Sequence, residues 1–279
     1  MEKKKDKIFF KTDFEIKSNA LNLELLNYTK KKGTKSNLII EGVVNKNNSV
    51  FLNKINFAES KNFIKVKNIN FNPKKKLKRI DQIDVDLVNN NDQISQLNIK
   101  RKKSNYSINS KIFDGAKILD RILFSKSEGN FFDVFEKLNT KISINLSTIY
   151  ITNKDYLNSF KADIIVDNNK IKDLILSSQF PTKEDLKLSI KTNSNNERIT
   201  DLFAGNAKPL VKKYDFIKGF EGGYLKFDSI EKNNVSNSNL KIFDFKLKEV
   251  PALTKLLTLA SLQGIADLLT GEGIRFNEF

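Results

Sequence analysis

The sequence predicts a mainly β protein built from antiparallel strands with one apolar and one polar face. Three observations carry this. Apolar and polar residues alternate with a period of two, as where Ile8, Phe10, Phe14 and Ile16 oppose Lys11, Asp13, Glu15 and Lys17, the pattern of a half-buried strand. Such segments recur about every 10–15 residues with no sharp internal repeat, a cadence that fits hairpin-linked strands. The linkers are short and rich in Asn, Lys and Gly, as hairpin turns require.

Residues 1–113 read as an antiparallel β-meander. After the first strand, Leu21, Leu23 and Leu25 alternate with Asn22 and Glu24. Strands follow at Leu38–Val44, Val50–Phe57 and Phe63–Phe71, the last with a phase slip near Asn68 that reads as a bulge. Ile83, Val85 and Leu87 alternate with Asp84 and Asp86, and Ile94–Ile99 and Tyr106–Phe113 complete the set.

Residues 114–139 break the period and read as a short helical insert of two helices. Asp114 is a candidate N-cap, with Ile118, Leu119, Ile122 and Leu123 at helical spacing in the first helix and Phe131, Phe132, Phe135 and Leu138 in the second.

Residues 140–279 resume the sheet, with strands at Lys141–Ile151, Tyr156–Val166, Lys170–Phe180 and Asp185–Thr192. Glu197–Tyr214 is expected to be helical through Ile199, Leu202 and Phe203, with a break or restart at Pro209. Phe216–Asp228, with Gly219, Gly222 and Gly223, reads as a turn and a strand, and Asn233–Asn239 as a polar loop. Phe243, Phe245 and Leu247 form a closing strand. Pro251 fits the first turn of a helix over about 251–269, with Leu256, Leu257 and Leu262 among its apolar contacts. Gly271 and Gly273 end it, and Ile274 and Phe276 restart a strand. Lys255, Gln263 and Asp267 interrupt the apolar run, so this helix is expected to pack on protein or lie at an interface rather than span a bilayer.

The composition excludes much chemistry. With 279 residues and 39% hydrophobic content the chain has material for a sizeable core. It has no Cys and no His, which removes disulfides, thiolate and imidazole metal sites, and the usual triads and dyads. No enzyme activity and no cofactor are expected. The best carboxylate cluster is Asp81, Asp84 and Asp86; Asp84 and Asp86 share a strand face and could hold a hard cation, but alternation with Ile83, Val85 and Leu87 explains them as a solvated face. Gly271-Glu272-Gly273 follows a helix instead of opening one, so it lacks the amide cradle of a phosphate loop.

The formal net charge is +16, which attracts nucleic acid or anionic membrane in principle. Its clusters, Lys3–Lys5, Lys30–Lys32, Lys74–Lys76 and Arg101–Lys103, fall in predicted turns and accompany no nucleic-acid motif. Nucleic acid is therefore not the expected partner. No apolar signal segment follows Met1–Lys7, and a strand has barely restarted at Phe279, so both ends read as cut.

The dry strand face admits two accounts from the residues alone: the core of a β-sandwich, or the floor of an open groove.

The C-terminal stretch adds a resemblance. Val250-Pro251-Ala252-Leu253, Leu257-Thr258-Leu259-Ala260-Ser261-Leu262-Gln263-Gly264 and Leu269-Thr270-Gly271-Glu272-Gly273-Ile274-Arg275-Phe276 resemble the C-terminal signature of AsmA-like envelope proteins of the YhdP/TamB type. Upstream, Gly219-Phe220-Glu221-Gly222-Gly223-Tyr224-Leu225 is similar to the glycine-paired strand start of the same family. The match runs from Gly219 to Phe276, a fifth of the chain. Gly222, Gly223, Pro251, Gly271, Gly273 and Phe276 are its motif positions.

The resemblance implies an elongated twisted antiparallel sheet curled into a hydrophobic groove, with a few short helices and an amphipathic C-terminal helix. It implies lipid transport: phospholipid acyl chains carried through the periplasm between the inner and outer membranes of a Gram-negative cell envelope, as part of outer membrane biogenesis. The protein would be anchored in the inner membrane by a segment this chain lacks. Groove-floor candidates are Phe10, Phe14, Leu23, Ile40, Val85, Ile144, Leu188, Phe227 and Phe245, and the terminal helix would meet a membrane or an envelope protein. The alternative is a non-catalytic β-sandwich, a structural or assembly module of the envelope that binds a protein partner.

Overall fold

The structure, a computed structural model, describes residues 2–4, 6–119, 132–213, 218–233, 235–248 and 274–278. It is mainly β and mostly antiparallel, and it divides into two compact units, Met1–Lys172 and Asp173–Phe279.

The first unit contains β1 (Glu2–Lys4), β2 (Lys7–Ile16), β3 (Leu21–Leu23), β4 (Tyr28–Lys30), β5 (Ser36–Asn45), β6 (Val50–Glu59), β7 (Asn62–Phe71), β8 (Leu77–Val88), β9 (Ile94–Lys102), β10 (Asn105–Asp114), β11 (Thr140–Tyr150) and β12 (Tyr156–Asp167). β3 and β4 pair only with each other, and the rest lie side by side in the order β1-β2-β5-β6-β7-β8-β9-β10-β11-β12. The strands expected between residues 38 and 113 form, close to their expected limits except that β8 begins at Leu77, six residues before Ile83.

The meander is not antiparallel throughout: β10 and β11 run parallel, with Tyr106 opposite Ile142 and Ile108 opposite Ile144. A tight turn brings the chain back at the edge where it left, which reverses its direction. Here β11 instead begins at the edge where β10 began.

Only part of the expected helical insert is helical. Residues 116–119 form helix, and the Ala116 amide donates to Asp114 Oδ1 (3.1 Å), as expected of a cap. Phe132, Phe135 and Leu138 do not continue as a second helix. Phe135 bridges Leu77, the Leu77 amide donates to the Val134 carbonyl (3.1 Å), and the Glu136 amide donates to the Leu77 carbonyl (2.8 Å). These bonds to β8 replace those a helix would make, while Phe132, Phe135 and Leu138 pack with Ile108, Ile142 and Val166. Ile122, Leu123 and Phe131 lie outside the described residues.

Leu21 and Leu23 are extended as expected, but Glu24–Leu26 is a 3₁₀ turn and the β3–β4 ribbon leaves the main sheet. It lies on the apolar face, where Tyr28 joins Phe57, Val85 and Leu87. Polar anchors fix it: Tyr28 Oη donates to Glu59, and the fully buried Lys30 ammonium donates to the carbonyls of Asn19 (2.7 Å), Lys31 (3.3 Å) and Lys17 (3.5 Å).

Asp114, only 2% exposed, accepts from Asn27 Nδ2 (3.0 Å) and Asn89 Nδ2 (2.7 Å), so it ties the ribbon to the β8–β9 turn. Replacing Asp114 by alanine takes this acceptor from the half-buried Asn27 amide and leaves the buried Asn89 amide with only Gln93 Oε1 at 3.4 Å, and is expected to cost about 1–3 kcal/mol. A lower urea midpoint at unchanged slope is the expected reading; a loss below about 0.5 kcal/mol, typical of a surface change, would show that the latch does not stabilise the fold.

The second unit contains β13 (Lys170–Gln179) from Asp173 onward, β14 (Asp185–Thr192), β15 (Arg198–Ala204), β16 (Phe220–Lys232), β17 (Val235–Leu247) and β18 (Ile274–Glu278). They follow one another in sequence order, with antiparallel pairing from β13 through β18.

Two expectations are corrected here. Arg198–Ala204 is a strand, not a helix: Leu202 lies between Leu188 and Phe227, and Phe203 between Lys187 and Lys226. Leu202 and Phe203 thus point to opposite faces, although the spacing of Ile199, Leu202 and Phe203 also fits a helix. A helix does follow at Lys208–Lys213, with Val211 buried. The polar stretch at 235–239 is not a loop but the first part of β17, with Asn239 opposite Asp228 and Ser238 opposite Ser229. Its polarity matches the end of β16 that it pairs with, where Ser229 Oγ lies 2.7 Å from Ser236 Oγ and 2.9 Å from Ser238 Oγ.

Candidate functional site: the apolar sheet face

Directly paired residues on neighbouring strands share a face, so the register shows what each face carries. In the first unit one row reads Phe14, Leu38, Phe57, Ile64, Val85 and Leu97 across β2, β5, β6, β7, β8 and β9. The next reads Ile40, Ile55, Val66, Ile83, Ile99, Ile108 and Ile144 from β5 to β11. All seven of these are β-branched, which suits extended backbone, and all seven are half-buried. The reverse face carries Lys65, Asp84, Asn98, Asn109 and Asn145 in one row.

The second unit repeats the division. Leu176, Leu188, Leu202, Phe227 and Leu240 form a row across five strands, and Leu186, Ala204, Leu225 and Ile242 form the next. The first row keeps partial exposure, while the second is buried.

The apolar set survives two shifts of phase. In β7 it moves from Ile64 and Val66 to Ile69 and Phe71 across Asn68, whose φ is 54°. This is the slip expected from the sequence, and β6 shifts with it, from Phe57 and Ile55 to Leu52 and Val50. In the second unit the shift falls at Gly223 (φ 72°) and Asp244 (φ 52°), on paired strands. Leu225 and Ile242 on one side of it and Phe220 and Phe245 on the other are all buried. A left-handed residue in each strand restores the apolar side to the same face.

The groove-floor candidates separate by depth. Phe10, Ile40, Ile144, Leu188 and Phe227 are half-buried, and Phe14 is 49% exposed. Leu23 is in the ribbon that covers the face, not in its floor. Val85 is buried under that ribbon, at 5% exposure, and Phe245, at 1%, is enclosed by Phe220 and Phe276. Among the motif positions, Gly222 and Gly223 both have positive φ, and Phe276 stacks on Phe245. Pro251, Leu256, Leu257, Leu262, Gly271 and Gly273 lie outside the described residues, as does the expected helix over 251–269.

Asp84 and Asp86 share the polar face, as alternation requires, but amides hold them. Gln82 Nε2 donates to Asp84 (2.5 Å), Asn98 Nδ2 donates to its other oxygen, and Gln96 Nε2 donates to Asp86 (3.0 Å). Asp81 stands apart, near Arg79 (3.6 Å) and Arg101 (3.7 Å). Among the described residues no group of three carboxylates is placed to hold a metal ion, and no helix is long and apolar enough to cross a membrane. The ribbon anchors Tyr28 and Lys30 were missed from the sequence, where the only local sign is the loss of alternation after Leu25.

These features define a class: a β protein whose sheet has one polar face and one apolar face that stays partly open. No family model, curated protein or solved structure matches the chain.

Proposed function

We propose that the apolar face binds lipid acyl chains without catalysis, as the resemblance to AsmA-like envelope proteins implies. The observation that carries this reading is the half-buried row from Ile40 to Ile144. In a sandwich a second sheet would cover such a row; among the described residues of the first unit the only other sheet is the small β3–β4 ribbon, whose cluster reaches Ile83, while Phe132, Phe135 and Leu138 pack with Ile108 and Ile144, so Ile40, Ile55, Val66 and Ile99 carry the reading. A row of aliphatic side chains wet on one side favours a flexible apolar ligand by about 25 cal/mol per Å² removed from water. In the same reading the sheets curl around the ligand, and the chain works in the periplasm as part of an anchored protein that moves phospholipid between membranes.

The test is lipid extraction and mass spectrometry on protein purified without detergent. Phospholipid near one equivalent or more is expected. Ile40→Asp in the first unit and Leu188→Asp in the second should each lower bound lipid, since a carboxylate on the floor is costly to desolvate. Circular dichroism checks that these variants fold. A folded, monodisperse protein free of lipid would overturn the proposal and leave the assembly-module alternative.

A further inference from the structure

We propose that the β3–β4 ribbon is a hinged flap, and that Phe57, Val85 and Leu87 beneath it are a concealed extension of the acyl-chain site. The ribbon is the middle of an excursion, residues 17–35, that leaves the sheet after Ile16 and returns at Ser36. Ile16 and Ser36 are directly paired, and Ser36 Oγ donates to the Ile16 carbonyl (3.0 Å). Both stalks therefore rise from one point, as in a compact loop whose ends are close. A rotation there moves the whole ribbon.

The polar contacts of the excursion fall into two sets. At the base the two stalks are tied to each other. The Lys30 ammonium donates to the carbonyls of Lys17, Asn19 and Lys31, and the Gly33 amide donates to the Lys17 carbonyl (2.9 Å). Each of these acceptors belongs to the excursion, so lifting the ribbon breaks none of the bonds and leaves no charge without its partners. Near the tip the ribbon is latched to the sheet. Asn27 Nδ2 donates to Asp114 (3.0 Å), Tyr28 Oη to Glu59, and the Thr29 amide to Asn90 Oδ1 (3.0 Å). Asn90 donates in return, from its amide to the Asn27 carbonyl (2.8 Å) and from Nδ2 to Thr29 Oγ1 (3.1 Å). Among the described residues these are the hydrogen bonds that hold Leu21–Lys30 to the sheet and its β8–β9 turn.

Under the ribbon the packing is apolar. Leu21, Leu23 and Leu26 join Tyr28 against Phe57, Val85 and Leu87, which are buried. Phe57, Ile64 and Val85 lie two residues along the same strands from Ile55, Val66 and Ile83. The covered row is thus continuous with the open one, and the ribbon's leucines fill the place an acyl chain would take if it ran on from Ile55 and Val66. A two-stranded ribbon of this size has little stability of its own. Its position is set by the latch and by these contacts, so a ligand that supplies equivalent contacts competes with it directly. What enters rests on the acyl-chain reading; the motion rests on the ribbon's own contacts.

The experiment uses the full chain, which has no native cysteine. Val85→Cys, one small apolar group for another, places a single thiol under the ribbon, and its reaction with a maleimide is followed at low urea. Labelling is expected at a rate nearly independent of urea there, since a local opening exposes little surface. Adding Asn90→Ala removes two exposed bonds of the latch and should speed labelling on the order of fivefold. In the chain without the thiol, Asn90→Ala should tighten binding of the fluorescent fatty acid cis-parinarate by a similar factor, because affinity scales with the open fraction. Thr29→Cys with Asn90→Cys, joined by a bismaleimide, should weaken it. Circular dichroism confirms the folding of each variant. Labelling that rises with urea along the full slope of global unfolding would overturn the flap and leave acyl-chain binding standing, as would parinarate binding indifferent to both latch variants. Urea-independent labelling without parinarate binding by any of these proteins would overturn acyl-chain binding, and the extension with it, and leave only the hinge.

Discussion

Replacing Phe245 by alanine is expected to destabilise the second unit by about 3–5 kcal/mol, the usual cost of emptying a buried aromatic site. Phe245 lies 5.1 Å from Phe220 and 5.2 Å from Phe276, ring centre to ring centre, with interplanar angles of 21° and 10°. The three rings come from β16, β17 and β18, so one truncation loosens three strands. Those strands are fixed by paired backbone, and they cannot close easily around the space left behind. Denaturant unfolding gives the total, and hydrogen exchange in β16 and β17 should report it locally. A loss below about 1 kcal/mol would mean that the ring is not part of a packed core. Because Phe245 is enclosed, its replacement by aspartate would unfold the region instead of probing bound lipid. Leu188 and Phe227 are the better probes.

The second large effect separates two adjacent glycines. Gly222 and Gly223 have nearly the same left-handed backbone, with φ of 73° and 72°, so alanine at either costs about 1–2 kcal/mol of backbone strain. Their surroundings differ. A Cβ on Gly223 would meet the Phe243 carbonyl oxygen at 2.6 Å and Phe245 Cβ at 2.9 Å, whereas a Cβ on Gly222 would meet nothing closer than 3.8 Å. Gly223→Ala must therefore push β17 away from β16, at a further cost of about 1–3 kcal/mol. The expected order is Gly223→Ala well below Gly222→Ala in unfolding midpoint, with Gly222→Ala only modestly below the unaltered chain. Equal midpoints for the two variants would refute the close approach at Gly223.

Much of the fold is legible in the sequence because alternation is local. Asp185–Thr192 forms a strand with the limits its alternation gives, and the slip at Asn68 appears where the hydrophobic phase breaks. Arg198–Ala204 misleads because short apolar groups at spacings of three and four suit either period, and its partners Leu188 and Phe227 settle it as a strand. The stretch at 235–239 misleads for a different reason: it has no apolar side chain after Val235, and its pairing is with a neighbouring strand, where Ser236 and Ser238 meet Ser229 and Asn239 lies opposite Asp228.

The candidate site divides in the same way. Alternation placed Ile40, Ile144, Leu188 and Phe227 on the apolar face, and the register agrees. It could not separate them from Val85 or Phe245, because depth depends on what lies above a residue. A ribbon more than fifty positions earlier in the chain covers Val85, and Phe220 and Phe276 enclose Phe245. Likewise the clusters Lys74–Lys76 and Arg101–Lys103 were visible in the sequence, but not that they lie at the same end of the strands.

By itself the sequence determined most of the extended segments, which side of those strands is apolar, and that chemistry based on His or Cys is absent. Only the tertiary structure decided that β10 and β11 run parallel and which apolar residues stay accessible. Alternation is set within a strand by the geometry of the backbone. Direction, depth and edge are set by the neighbours a strand acquires.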